Sequence, residues 1–230
     1  MSKILFIRHG QASFMKRDYD QLSELGLEQA RQLGLFFKSQ GTNINQAYSG
    51  TLLRQQQTAQ ACLKAMDIEL EVQHHHGYNE HEGPGIVKVF YPEKFHMNKE
   101  LDPKHFEQYR REFYGAYFKL AIPWANGELN QPKLEKIESW ASFKSRFTDA
   151  LRHTMDNCPS GSTVAIFTSG GPVGAAAGEV LGLSDEKTIS LGWQVKNASF
   201  SEYLYSKGKI SMVSFNETPH LLQDGMQTLV

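Results

Sequence analysis

The tripeptide Arg8-His9-Gly10 combines residue types that suit phosphoryl chemistry, and it follows directly on the apolar run at residues 4–7. A guanidinium beside an imidazole suits an anion, most simply a phosphate. An unprotonated His9 could also attack the phosphorus atom of that anion. Gly10 lets the backbone turn sharply and approach a ligand closely. A chance Arg-His pair at a strand end explains the tripeptide alone equally well, so other segments have to decide.

Two later segments, residues 49–54 and 168–171, also follow short runs that predict strands. The carboxyl ends of parallel strands share one edge of a sheet, so the three segments could converge on one pocket. The turn at residues 168–171 reads Thr-Ser-Gly-Gly and opens a predicted helix, whose free N–H groups favour anions. Arg54 lies in the first turn of its helix, where most arginines are simply solvated.

A candidate acid follows at residues 79–83, which read Asn-Glu-His-Glu-Gly. Glu80 or Glu82 could act as a general acid if it reaches the leaving oxygen of a phosphate ester. An ordinary acidic loop explains either residue taken alone. The choice between the two carboxylates stays open at this point.

The run His74-His75-His76 raises the question of a metal site. Tandem neighbours seldom point into one coordination sphere, and no carboxylate has matching spacing. We therefore expect no metal and no other cofactor. His81 is a further candidate for the pocket because it adjoins Glu80, whereas His220 is expected to order the C-terminal segment.

The elements that must position these residues alternate between strand and helix over residues 3–65. Such alternation predicts an α/β domain with a mostly parallel sheet covered by helices. Residues 84–135 are richer in aromatic, proline and charged residues, and they predict a helical insertion that caps the site. The alternating segments at 199–205 and 209–215 predict a closing hairpin. We expect one domain spanning residues 1–230.

The composition of the chain limits the classes of partner that we expect it to bind. The chain has 230 residues, 40% of them hydrophobic, and a net charge of -1, which is typical of a globular domain. This balance gives no electrostatic case for nucleic acid or a membrane surface as a partner. The chain shows no signal-peptide pattern and no apolar run of membrane-spanning length, so a cytoplasmic location is expected by default. Cys62 and Cys158 form neither a disulfide framework nor a metal motif.

Taken together and in order, five segments resemble those of the histidine phosphatase superfamily, the phosphoglycerate mutase-like fold. The resemblance runs nearly end to end, and the segment that includes His9 reads Leu-Phe-Ile-Arg-His-Gly-Gln, similar to the family signature. It implies a three-layer α/β/α architecture with a mostly parallel central sheet. The resembling segments are residues 5–11, 22–30, 48–59, 79–80 and 164–173.

The resemblance also implies a mechanism without a metal. Arg8 and Arg54 would clamp the phosphoryl oxygens of a small-molecule phosphate ester, and His9 would attack phosphorus and become phosphohistidine. Glu80 would protonate the leaving alcohol and then take a proton from the attacking water. Phosphoryl transfer depends mainly on positioning and charge neutralisation, which two guanidiniums and backbone donors can supply.

The sequence departs from the family pattern at Ser169, which stands where the family has its second histidine. A serine can donate a hydrogen bond to a phosphoryl oxygen but brings no positive charge, and losing one preorganised donor can cost ~100- to 1000-fold in rate. Gly170 keeps the anion-binding turn, and Ser13 offers a further hydroxyl. The leading expectation is a phosphomonoester hydrolase. A phosphate-binding protein with weak or no catalysis is the alternative, and a phosphoglycerate-type mutase is less favoured because the fold alone does not specify it.

Overall fold

The sheet at the centre of the molecule has six strands. The structure is a computed structural model and describes residues 1–13, 20–95, 105–129, 132–206 and 208–229. The strand order is β3-β2-β4-β1-β5-β6; β1 to β4 run parallel, whereas β5 is antiparallel to both β1 and β6. The predicted mostly parallel sheet and closing hairpin are confirmed. The strands are β1 (Ser2–Arg8), β2 (Gln46–Ser49), β3 (Val72–His74), β4 (Thr163–Thr168), β5 (Phe200–Ser206) and β6 (Lys209–Glu217).

Helices cover both faces of this sheet, because apolar side chains of β1 point alternately to its two faces. Ile4 and Phe6 point into one buried cluster, whereas Leu5 and Ile7 point into the other. Helices α1 and α2 pack on the Leu5 side, and α5 and α6 pack on the Phe6 side. The three-layer α/β/α prediction is therefore confirmed. The helices of the described chain are α1 (Glu24–Ser39), α2 (Leu53–Ala65), α3 (Gly83–Phe90), α4 (Phe106–Ala125), α5 (Trp140–Asn157), α6 (Gly170–Leu181) and α7 (Asp185–Gly192).

The predicted insertion at residues 84–135 contains most of α3 and all of α4. Phe113, Tyr117 and Leu120 of α4 are buried at helical spacing, as the pattern predicts. They extend the Phe6-side core outward, and the insertion's other ring contacts include Phe95 on Phe113 at 5.4 Å. Residues 96–104 and 130–131 of the insertion lie outside the described residues. No helix of the described chain is long and apolar enough to cross a membrane.

The strand ends bring the three chemical segments to one edge. Arg8 lies opposite Thr168 in the β1–β4 ladder, and Ser49 lies opposite Phe167 in the β2–β4 ladder. Three loops therefore leave the sheet side by side. Each of the loops after β1, β2 and β4 leads toward a helix, which gives the edge the layout of a ligand site in an open α/β sheet.

Candidate active site

His9 is fixed by backbone bonds to the last residue of β4 and to the segment that precedes β5. Its N–H donates to Thr168 O at 2.8 Å, and its carbonyl accepts from the Ala198 N–H at 3.1 Å. The Asn197 side-chain amide donates to the same carbonyl at 3.3 Å. This support lets the ring leave the end of β1 in one defined orientation. Asn197 was not foreseen from the sequence, because 188 residues separate it from His9.

The hydrogen bonds of the His9 ring define which nitrogen carries the proton. Nδ1 lies 2.7 Å from Gly10 O, and a carbonyl oxygen only accepts, so Nδ1 is the protonated nitrogen. Arg54 Nε donates to Nε2 at 3.1 Å, which requires a lone pair on Nε2. Burial lowers the pKa of His9 well below its usual range, and the nearby charges of Arg54 and Arg8 lower it further. His9 is thus a neutral imidazole whose Nε2 can act as a nucleophile.

Arg54 is held by an acid that the sequence did not indicate. Its Nη1 donates to Asp20 Oδ1 at 2.5 Å, and Asp20 Oδ2 accepts from the Leu53 N–H at 2.8 Å. The Arg54 side chain is 11% exposed, whereas that of Asp20 is 41% exposed, so water reaches this ion pair from the side of the acid. Asp20 therefore orients the guanidinium toward His9, while its exposed carboxylate offsets part of the Arg54 charge.

Arg8 lies between the start of α6 and the segment that follows α7. Its Nη1 donates to the carbonyl of Val195, and its Nε lies 3.7 Å from where a Cβ on Gly170 would stand. The same Cβ would come within 2.9 Å of Gly192 O, so only glycine allows α6 to approach this closely. Gly170 thereby brings a helix N-terminus and a guanidinium to the same wall.

Glu80 is anchored on the first turn of α6. Its Oε2 accepts from the Gly171 N–H at 3.1 Å, and its Oε1 accepts from the His81 N–H at 3.0 Å. A Cβ on Gly171 would collide with the Glu80 carboxylate. Glu82, by contrast, accepts from the Glu138 N–H at 3.0 Å and is exposed. Both acids line the same cavity, but Glu80 is the one held at the N-terminus of α6.

The loop that carries Glu80 is secured by Arg146 of α5. The guanidinium donates to four backbone carbonyls, those of His76, Gly77, Asn79 and Glu80, at 3.0 to 3.2 Å. It also forms a bidentate pair with Glu138, at 2.5 and 2.9 Å. Sequence reasoning missed Arg146, because it lies 66 residues from Glu80 along the chain.

Two of the predicted phosphate ligands, Ser169 and Ser13, are not lining residues of the cavity described below. Ser169 is fully buried and its hydroxyl accepts from Gln55 Nε2 at 2.9 Å. Ser13 is buried and donates to Leu22 O at 3.0 Å. Neither is among the described residues that line the cavity, whereas Gly170 is.

The residues of this site enclose a cavity of about 690 Å³. Arg8, His9, Arg54 and Glu80 form one end, with Gly170 and Gly171 beside them. Aromatic side chains of α4 and Trp193 also line the cavity. A volume of this size accommodates a small organic ligand rather than a phosphate ion alone.

His81 also lines the cavity, as a neutral and buried ring. Its Nδ1 accepts from the Gly83 N–H at 2.9 Å, so its proton resides on Nε2. That nitrogen lies 3.2 Å from the Tyr117 hydroxyl and 3.5 Å from Glu80 Oε1. Burial is the largest cause that lowers the pKa of His81. The candidate pocket position of this residue therefore agrees with the structure.

The described residues contain no group of three or more His, Cys, Asp or Glu side chains arranged to hold a metal ion. In the histidine run, His75 and His76 stack with an interplanar angle of 11° instead of converging on a point. His74 bonds to the Ser49 hydroxyl at 2.8 Å. His220, which lies in the C-terminal segment, contacts the backbone carbonyl of Ala198 and so attaches that segment to the residues before β5.

With this geometry in place, comparison with known families is decisive. The model of the histidine phosphatase superfamily (branch 1) matches residues 4–84 and 98–218. The chain therefore belongs to the histidine phosphatase superfamily. The match includes the segments that carry Arg8, His9, Arg54, Glu80 and Gly170.

Solved structures share this fold at low sequence identity. YhfR of Bacillus stearothermophilus is 15% identical with a TM-score of 0.68, and the alignment covers 96% of this chain and 99% of that one. The phosphoserine phosphatase of Entamoeba histolytica, solved in complex with 3-phosphoglyceric acid, is 20% identical with a TM-score of 0.63, covering 96% and 100%. A mycobacterial glucosyl-3-phosphoglycerate phosphatase is 21% identical with a TM-score of 0.62, covering 93% and 98%.

A curated relative matches over a shorter stretch. The 2,3-bisphosphoglycerate-dependent phosphoglycerate mutase of Porphyromonas gingivalis is 34% identical over 76 residues. These residues make up 30% of this chain and 30% of the relative, so the match spans less than a third of that enzyme's length.

Proposed function

We propose that this protein is a phosphomonoester hydrolase in which His9 receives the phosphoryl group and no metal takes part. The observation that carries the proposal is the pair of bonds on the His9 ring. Nδ1 faces Gly10 O at 2.7 Å, and Nε2 faces the Arg54 guanidinium at 3.1 Å. A lone pair beside a fixed cation is the arrangement that an attack on a phosphate needs.

In the first step, His9 Nε2 attacks phosphorus in line with the leaving oxygen. The N–P bond forms, and the P–O bond to the alcohol breaks with its electron pair on oxygen. Glu80, in its protonated form, gives that oxygen a proton, so the alcohol leaves neutral. Arg8, Arg54 and the Gly170 N–H at the start of α6 stabilise the charge on the other three phosphoryl oxygens. These three groups and His9 are called the phosphate end of the cavity below.

In the second step, water attacks the phosphohistidine. The Glu80 carboxylate takes a proton from the water as the new P–O bond forms, and the N–P bond breaks with its electron pair on His9 Nε2. Inorganic phosphate leaves, and both side chains return to their starting states. Glu80 suits both steps better than Glu82, because its carboxylate lies at the α6 N-terminus while Glu82 is engaged with the Glu138 backbone.

The named relatives support hydrolysis in general terms. Two of the three solved relatives described above are named as phosphatases, and one curated relative is named as a mutase. The fold accommodates both reactions, so the choice of hydrolase rests on the site rather than on the fold. Water can reach a cavity of about 690 Å³ once the alcohol has left, and this favours hydrolysis over return of the phosphoryl group.

A second candidate is a protein that binds a phosphate ligand with little or no catalysis. Ser169 favours it, because the position holds a neutral hydroxyl that is buried and engaged with Gln55. The phosphate end then depends on Arg8 and Arg54 for positive charge among the described residues. In that case phosphate would bind to the wild-type protein without phosphohistidine.

The test is turnover of a panel of phosphate esters, combined with rapid acid-free quenching to detect phosphohistidine. We expect wild-type protein to release phosphate and to carry an acid-labile phosphoryl group that His9→Ala abolishes. His153→Ala, an exposed histidine of α5, is the matched control and should leave turnover unchanged. Phosphate binding without any turnover or labelling would reject the hydrolase in favour of the second candidate.

A further inference from the structure

We infer that the ester for which this cavity is shaped carries an apolar alcohol, with an aryl or alkyl body, and not a polyol or a second acid. The inference names the substrate class of the proposed hydrolase. The kinetic part of its test, described below, rests on that function. The binding measurement does not, because affinity for the apolar group is set by the aromatic wall of the cavity.

That wall is built from rings on two different elements. Phe118 of α4 and Trp193, the residue after α7, have ring centroids 4.4 Å apart. Tyr114 lies next to Phe118 at 6.1 Å, and Ile189 adds a buried aliphatic surface. All four line the cavity. A ring or alkyl chain placed against them would leave water and gain favourable contacts.

The hydroxyl of Tyr117, another cavity-lining tyrosine of α4, is already engaged in a polar contact. Tyr117 O lies 3.2 Å from His81 Nε2, inside the protein. The Tyr117 ring therefore packs near Trp193, with the two ring centroids 6.0 Å apart, while its hydroxyl is engaged by His81. A hydroxyl-rich alcohol would have to give up water against this wall, which costs free energy when the lost hydrogen bonds are not replaced.

The charges of the described lining point the same way. Its cations are Arg8, Arg54 and Arg146, and its acids are Glu80, Glu82 and Glu138. Arg8 and Arg54 belong to the phosphate end, and Arg146 is committed to Glu138 and to loop carbonyls. A carboxylate on the alcohol would therefore meet acids beyond the phosphate end. This argues against a phosphorylated acid as the favoured ligand.

The experiment compares phenethyl phosphate with glycerol phosphate. Both esters release primary alcohols, so intrinsic reactivity is similar and the difference reports on the alcohol's binding. We expect kcat/KM at least about tenfold higher for phenethyl phosphate, in line with the selectivity of an apolar pocket. Ethyl phosphate, whose alcohol has only two carbons and little apolar surface, serves as the reference ester.

Substitutions then locate the effect. Phe118 is 44% exposed at the cavity, so truncating it should not unfold the protein. Phe118→Ala should lower kcat/KM for phenethyl phosphate by about tenfold, mainly through KM, and change ethyl phosphate by less than about twofold. Phe118→Leu should recover part of the loss. Tyr91→Ala is the matched control, since Tyr91 is a 41% exposed aromatic residue of the cap that does not line the cavity.

The outcomes separate this inference from the proposed function. Equal or faster turnover of glycerol phosphate overturns the inference and leaves the hydrolase standing, as does an equal effect of Phe118→Ala on all esters. If no ester is turned over, the proposed hydrolase function is wrong. The inference about the alcohol is then tested by calorimetry with the phosphonate analogues of the phenethyl and glycerol esters. Binding of the phenethyl analogue at least about tenfold tighter supports the inference, and equal binding overturns it.

Discussion

Gln55 donates a hydrogen bond of 2.9 Å from its Nε2 to Ser169 Oγ, and both side chains are fully buried. The same Nε2 donates to Tyr78 O at 3.1 Å, which ties Gln55 to the loop before Glu80. Gln55 thus occupies the space into which a larger residue at position 169 would extend. The serine and the glutamine form one packed unit between α2 and the start of α6.

This unit predicts how a histidine at position 169 will behave. Ser169→His alone should lower the free energy of unfolding by about 1–3 kcal/mol, because an imidazole overpacks the space next to Gln55. We expect no gain in kcat from this variant. Ser169→His combined with Gln55→Ala should recover stability and raise kcat by about tenfold or more, as an added donor reaches the phosphate.

Urea unfolding and steady-state kinetics of the two single variants and the double variant measure this coupling. Gln55→Ala alone is the control for loss of the glutamine. An equal rise in kcat in the single Ser169→His variant would show that Gln55 does not obstruct position 169.

Arg146 is expected to act on the reaction by holding the Glu80 loop. Arg146→Lys should lower kcat by about 10- to 100-fold for an alkyl phosphate, because a misplaced acid protonates the leaving oxygen poorly. The loss should be much smaller for para-nitrophenyl phosphate, whose leaving group needs no proton. KM should change little for either ester, since the arginines of the phosphate end are untouched.

The control for this variant is Arg152→Lys, an exposed arginine on the same helix. If Arg146→Lys slowed both esters equally, its role would be general support of the fold and not placement of the acid. Measuring kcat and KM separately for the two esters distinguishes these cases.

His9 should be observed as a neutral ring in mildly acidic solution. Burial and the adjacent Arg54 and Arg8 lower its pKa well below the usual range, so the proton stays on Nδ1 alone as pH falls through about 6.5. Nitrogen-15 NMR of labelled histidine at about pH 5.5 should show an unprotonated Nε2. A doubly protonated His9 at that pH would contradict the prediction.

Buried histidines should make the fold less stable in acid. Burial lowers the pKa of His220 to about 4, so the folded state binds fewer protons than the unfolded state between that value and the ordinary pKa. Stability is therefore lost as pH falls through this window, at up to about 1.4 kcal/mol per pH unit from one such residue. His9 and His81 act in the same direction.

Urea unfolding between about pH 7 and pH 5 measures the slope. His220→Gln should flatten it, since glutamine has no proton to gain and can still donate to Ala198 O. An unchanged slope in this variant would assign the acid sensitivity to other groups.

The sheet and its ligand edge were predictable because they follow from local patterns. Alternating elements place the ends of β1, β2 and β4 together, and this brought Arg8, His9 and Arg54 to one cavity. The partners of these side chains were not predictable. Asp20, Asn197 and Arg146 come from distant loops or helix faces, and periodicity shows only which face of an element is buried.

Ser169 illustrates the same division. Its place in the turn before α6 was evident from the glycines that follow it, but the direction of its side chain depended on a contact with Gln55, 114 residues away. Two elements, β3 and α7, were also missed. Each is short, with three and eight residues, so neither gives a sustained periodic signal.

The bond between Gly171 and Glu80 has a consequence for how this site can change over time. In the proposed reaction, the start of α6 offers the Gly170 N–H to the phosphate and uses the Gly171 N–H to anchor Glu80, the acid for the leaving group. A substitution there should change phosphate affinity and proton transfer together. Variants of this turn should therefore lose both properties at once. Selection for new esters would then act more readily on the aromatic wall, where binding can vary while the reacting groups stay in place.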